Sequence, residues 1–182
     1  MKLKDIEKPI YRKNLNIITV AFIASFLVLA LAFGQGLIMV FTDNVNSSAG
    51  EIVIDATAPE SNFRYNLIGV ILALLICLFA LHRLRSSAFF HEVYYVWQVK
   101  QLHNAIYRKL KKIKAASVNE DVNAWIILNF YYASLKQVYL LDDNTLTMSK
   151  LNTDINELNS QLENLNLTLS TDQFEPSMLA DF

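Results

Sequence analysis

The sequence predicts an all-α protein: a two-helix transmembrane hairpin followed by a three-helix cytoplasmic bundle with a C-terminal coiled-coil-like helix. Three observations carry this. Two long apolar runs lack any charged residue; only 4 Gly and 3 Pro occur in 182 residues, too little turn material for a many-stranded sandwich or barrel; and a strict three-four spacing of apolar residues marks the C-terminal third. The chain is 53% hydrophobic and 18% charged, against roughly 45–50% and 25% in soluble domains. The excess has to be buried in protein or in lipid. A single cysteine excludes an intramolecular disulfide and a thiolate-cluster metal site.

Residues 1–14 form a basic N-terminal segment carrying Lys2, Lys4, Lys8, Arg12 and Lys13. Residues 15–41 follow without a charge, interrupted only by Asn16, Thr19, Ser25 and Gln35. A bilayer core about 30 Å thick needs about 20 helical residues, so this run is long enough to span one. Residues 67–82 make the second span, whose dense part covers only about 22 Å and uses Tyr65, Asn66 and His82 at the interfaces, with Arg64 and Arg83 snorkelling. Lysines and arginines crowd residues 1–14 and recur at Arg83 and Arg85, whereas the loop at 42–66 has only Arg64 against four acidic residues. Both termini are therefore expected in the cytoplasm and the loop outside, with residues 51–55 as one short strand. A cleaved leader is disfavoured, because an apolar core of 27 residues far exceeds the roughly 7–15 of a signal peptide.

Small residues spaced by four sit where an antiparallel hairpin would bring them to one depth. Gly34 and Gly36 lie near the outer end of the first span, and Gly69 and Ala73 near the outer start of the second. They are the candidates for close span packing. Cys77 reads as a small apolar filler.

The cytoplasmic helical domain occupies residues 83–169. Its first helix, residues 86–116, carries a stripe at Tyr95, Val99, Leu102, Ile106, Leu110 and Ile113. Ser117 and Asn119 are N-cap candidates for a second helix reaching residue 141, with Glu120 and Asp121 in its first turn. That helix is apolar almost all round, so it is expected at the centre of the bundle or in an oligomer contact. Asp142, Asp143 and Asn144 stop it. In the third helix Met148, Leu151, Ile155, Leu158, Leu162, Leu165 and Leu169 make a seam, either internal to the bundle or facing a partner. Residues 170–182 lose the period, contain Pro176 and read as a loosely held tail, with Phe174, Met178, Leu179 and Phe182 as docking candidates.

Residues 87–116 have a net charge of +5 and residues 144–182 a net charge of −5, which suits complementarity within the bundle. The basic cluster Arg108, Lys109, Lys111, Lys112 and Lys114 is the alternative site for anionic lipid. Nucleic acid is a poor expectation at a sequence pI of 6.3. His82, His91 and His103 are spaced 9 and 12 apart, not as metal ligands on one helix face, and read as interfacial or packed imidazoles. No phosphate loop, nucleophile elbow or calcium loop is present in the sequence; Asp142–Asp143–Asn144 lacks the glycine that a calcium loop needs. No cofactor and no enzymatic activity are expected.

The run HEVYYVWQVKQLHNAIYRKLKKIKAA from His91, then Phe130-Tyr131-Tyr132, then LDDNTLT from Leu141, resembles an uncharacterised family of short bacterial inner-membrane proteins. The resemblance covers nearly the whole chain and implies a basic N-terminus, two spans and a helical cytoplasmic tail. It supplies no catalytic or ligand-binding residue. The expected function is a non-enzymatic, membrane-tethered interaction or scaffold protein, with a protein partner or a second copy binding through the cytoplasmic helices. A subunit of an oligomeric pore or transporter and a signal-relay protein are the alternatives.

Overall fold

The computed structural model describes residues 2–48 and 62–182, apart from the side chains of 42–48. The strand expected at 51–55 lies outside the described residues, which are all-helical or irregular. Five α-helices run Lys8–Ser48 (α1), Phe63–Leu84 (α2), His91–Val118 (α3), Val122–Leu141 (α4) and Met148–Asn164 (α5), followed by 3-10 turns at Thr171–Gln173 and Pro176–Asp181. The chain divides into two compact units, Leu15–Phe90 and Met1–Asn14 with His91–Phe182.

In the first unit, α1 and α2 are each long and apolar enough to cross a membrane. The 22 residues of α2 rise about 33 Å. Its buried positions are Gly69, Ala73 and Cys77, four apart and therefore on one line, while the leucines, isoleucines and phenylalanine around them are open. The approach is closest at Gly69. A Cβ there would lie 2.5 Å from the Gly34 amide nitrogen and 2.8 Å from its Cα, which only hydrogen side chains permit. Gly34 in turn faces Asn66, whose Oδ1 would be 2.8 Å from an added Cβ. Gly36 departs from the expectation: nothing lies within 4 Å of its Cβ position. Two residues beyond Gly34, it lies about 200° round the helix, on the opposite face. Phe41 and Tyr65 stack across the pair with centroids 5.8 Å apart.

In the second unit α4 is the central element, packed against α3, α5 and the first 3-10 turn. Its buried residues face every way: Trp125, Ile127, Phe130, Tyr131 and Val138 are all within a few per cent of full burial. α3 starts five residues later than the sequence predicts, at His91, and runs two further, to Val118. Ser117 is inside it and buried, and Asp121, not Ser117 or Asn119, caps α4 by accepting from the Asn123 amide at 2.8 Å and the Ala124 amide at 3.4 Å.

All three bundle helices end in a left-handed residue that is not glycine: Glu120 (φ 62°), Asp143 (φ 56°) and Asn166 (φ 53°). After each, the next amide reaches back to a carbonyl in the last turn: Asp121 to Ala116 at 3.3 Å, Asn144 to Tyr139 at 2.9 Å and Leu167 to Leu162 at 2.9 Å. These are Schellman closures, which satisfy carbonyls that the helix leaves over.

The closure at Asn166 ends α5 earlier than the seam predicts. Leu151, Leu158 and Leu162 are buried in the bundle, and Met148, Ile155 and Leu165 pack beside them. Leu165, Leu167 and Leu169 lie past the helix yet pack on the core at every second residue. The sequence LNLTL is alternating, and alternation is the period of extended chain. The tail beyond it is docked, not loose. Phe174 is fully buried and Leu179 nearly so, with the first 3-10 turn closed by a capping box between Ser170 and Gln173.

Candidate interaction surface

Tyr131, Leu135 and Tyr139 follow at four-residue intervals along α4 and so form one stripe beside Tyr107 of α3. These four side chains border a depression of about 420 Å³ together with Lys100, His103, Asn104 and Val138. They also border a recess of about 350 Å³ reached by Lys114, Lys150 and Asp154. Tyr107 is 69% exposed whereas Tyr131 is 7% exposed, so the surface grades from wet to dry. Burial, reinforced by Tyr139, Tyr132, Tyr107 and Asp154, pushes the Tyr131 phenol up to about 12. It is a neutral hydrogen-bonding group throughout the physiological range.

His103 underlies this surface as a packed imidazole. Ser134 Oγ donates to the Tyr131 carbonyl at 3.1 Å and lies 2.7 Å from His103 Nε2. The hydroxyl can both donate and accept, so it satisfies the buried imidazole. Tyr131 meets the ring edge-on at 5.7 Å. Burial first, and then Lys100, lowers the His103 pKa to about 4.

The basic stretch of α3 is partly committed to the tail. Lys109 Nζ donates to the Leu179 carbonyl at 2.6 Å and Lys112 Nζ to the Phe182 main-chain oxygen at 2.8 Å. Lys114 lies over the Tyr132 ring at 5.8 Å, and its pKa is raised by a hydrogen bond to Tyr132 and by Asp154 and Glu157. Arg108 and Lys111 are exposed. Lys109 and Lys112 thus hold the tail through its main-chain oxygens, while Lys114 faces the carboxylates of Asp154 and Glu157, in the sense of the charge balance.

Asp142, Asp143 and Asp172 pair elsewhere, with the N-terminal segment and with Lys100. Lys8 and Arg12 both bind Asp143, Tyr11 Oη donates to Asp142 Oδ1 at 3.1 Å, Lys100 bridges Asp142 at 2.7 Å and Lys2 approaches Asp172 at 3.5 Å. Hydrogen bonds from Lys8 lead the causes that hold the Asp143 carboxyl below its usual range. The Lys4 amide donates to Tyr95 Oη at 2.8 Å, and Gln137 Nε2 donates to the Lys4 carbonyl at 2.5 Å. Tyr11 is 2% exposed. Exposed ion pairs are individually worth about 0–1 kcal/mol, so the buried ring and the main-chain hydrogen bonds anchor the segment while the charges set its register.

Sequence reasoning finds the basic segment and the acidic helix stop separately. It cannot join them, since they are some 130 residues apart and neither has a periodic signal that names the other.

A chain with this order of elements, basic segment, two apolar helices and a three-helix bundle, can be set beside known families. The chain belongs to the DUF3087 family. The family model, described as a protein of unknown function (DUF3087), matches residues 1–179. The match takes in the N-terminal segment, both apolar helices and the docked tail as far as Leu179, so these parts belong to one family unit. No curated protein and no solved structure matches the chain.

Proposed function

We infer that this DUF3087 protein is a non-enzymatic, membrane-tethered interaction protein of the bacterial inner membrane, with both termini cytoplasmic and a partner or second copy bound at the tyrosine-walled groove. The observation that carries the reading is the groove itself. Tyrosine offers large contact area with a polar tip and little conformational entropy to lose, which is why it is enriched in binding surfaces.

The topology is supported by the packing of residues 2–14 against helices α3 and α4. If α1 and α2 both span, the two segments can meet only on one side of the bilayer. The excess of lysine and arginine in residues 1–14 favours the cytoplasmic side.

Crosslinking in native membranes followed by mass spectrometry tests the function. Crosslinks from Lys111, Lys136 or Lys150 to another protein or to a second copy, lost in Tyr107→Ala, are expected. Only intrachain crosslinks, at monomer mass and unchanged in Tyr107→Ala, would overturn it.

A further inference from the structure

The basic N-terminal segment has two competing attractions. One is the acidic end of α4. Asp142 and Asp143 sit at the helix C-terminus, where the helix dipole adds negative potential, and the left-handed backbone at Asp143 (φ 56°) closes the helix there. Lys8, Arg12 and Tyr11 converge on these two carboxylates. The other attraction is the bilayer. The segment ends at Asn14, immediately before the charge-free run at 15–41. If that run spans the membrane, Lys8, Arg12 and Lys13 start within about one Debye length of the headgroups, roughly 8 Å at physiological salt.

The composition of the segment suits both places. Leu3, Ile6, Ile10 and Tyr11 are interspersed with Lys2, Lys4, Lys8, Arg12 and Lys13 against Asp5 and Glu7, a net charge of +3, a mixture of apolar and predominantly cationic groups that suits an anionic interface. Tyrosine is at home at headgroup level, so moving Tyr11 there need not strand its ring in water. The ion pairs that set its register in the closed position are half-open to solvent: Lys8 and Arg12 side chains are each 43% exposed and Asp143 is 54% exposed. They can be exchanged for phosphates without uncovering a buried charge.

We propose that residues 2–14 are an electrostatic latch, closed on Asp142 and Asp143 beside neutral lipid and transferred to the bilayer surface by anionic phospholipid. Release uncovers Tyr95, Gln137 and the α4 end, changing the face that the bundle presents. This rests on α1 being a membrane span.

The test places spin labels at Glu7→Cys and Thr145→Cys in a full-length Cys77→Ala background and reads their separation in lipid nanodiscs. The discs are phosphatidylcholine alone or with a rising share of phosphatidylglycerol. A short distance in neutral discs, replaced by a longer one as phosphatidylglycerol increases, is expected, and Asp143→Asn should move the midpoint to a lower anionic share. An inserted chain whose distance stays short at every lipid composition, or whose midpoint is the same in Asp143→Asn, overturns the latch and leaves the two-span reading standing. A chain that stays in the aqueous fraction without detergent overturns the two-span reading, and the latch with it.

Discussion

Phe174 stacks on Phe130 with ring centroids 4.1 Å apart and planes 16° from parallel, and both rings are fully buried. The contact ties the last 3-10 turns to the centre of α4, so the tail is part of the core it follows. Truncating a buried phenylalanine removes its transfer free energy and leaves a cavity. Phe174→Ala should therefore cost the bundle on the order of 3 kcal/mol, read as a lower midpoint in urea unfolding of the detergent-solubilised protein. An unchanged midpoint would mean that the tail is dispensable.

The His103 imidazole makes bundle stability depend on pH in a defined window. Its folded pKa of about 4 lies below the ordinary 6.5, so the unfolded chain takes up a proton that the folded bundle refuses. The contribution is complete above about pH 6.5 and is lost as pH falls through the interval down to about 4. At 1.36 kcal/mol per pKa unit it is on the order of 3 kcal/mol. Unfolding midpoints should fall across that interval in the wild type and fall less in His103→Gln.

The glycines of the apolar pair differ in what surrounds them, and their alanine variants should rank accordingly. At Gly69 the added methyl meets Gly34 backbone, which cannot swing aside; at Gly34 it meets the end of the Asn66 side chain, which can; at Gly36 it meets nothing. Gly69→Ala should lose about 1–3 kcal/mol of helix-pair stability, Gly34→Ala less and Gly36→Ala none. Thermal melts in micelles, with disulfide trapping between α1 and α2, would read the order. Equal behaviour of all three would show that the helices do not meet at Gly69.

Much of the architecture was legible before the structure, and the boundaries of legibility are physical. Charge-free length identified the apolar helices, and the all-round burial of α4 followed from apolar residues on every face. The end of α5 is not legible in the sequence because Leu165 and Leu169 continue a three-four spacing that LNLTL fits equally well as alternation; the left-handed turn at Asn166 decides between them. Gly34 and Gly69 were recognisable from four-residue spacing, but Gly36 satisfies the same spacing and points into open space. The groove was missed because Tyr107 and Tyr139 come together only once α3 and α4 are packed. Its one sequence signal is the pair Tyr131 and Tyr139, eight residues apart on a helix otherwise read as core.

The left-handed closures offer a test of backbone strain. Glu120 adopts φ 62°, a conformation that costs an ordinary side chain about 1–2 kcal/mol and glycine almost nothing. Glu120→Gly should hold or raise the unfolding midpoint, and Glu120→Val should lower it by about 1 kcal/mol or more. Both variants remove the same charge, so the difference between them isolates the backbone.

The most direct measurement for the account as a whole is the sidedness of single cysteines in a Cys77→Ala background, using a membrane-impermeant maleimide on intact cells. Asn62→Cys should label from outside, while Lys2→Cys and Asp181→Cys should label only after the membrane is opened. Labelling of all three from the same side, or recovery of the protein in a detergent-free soluble fraction, would contradict the two-span arrangement on which the proposed function depends.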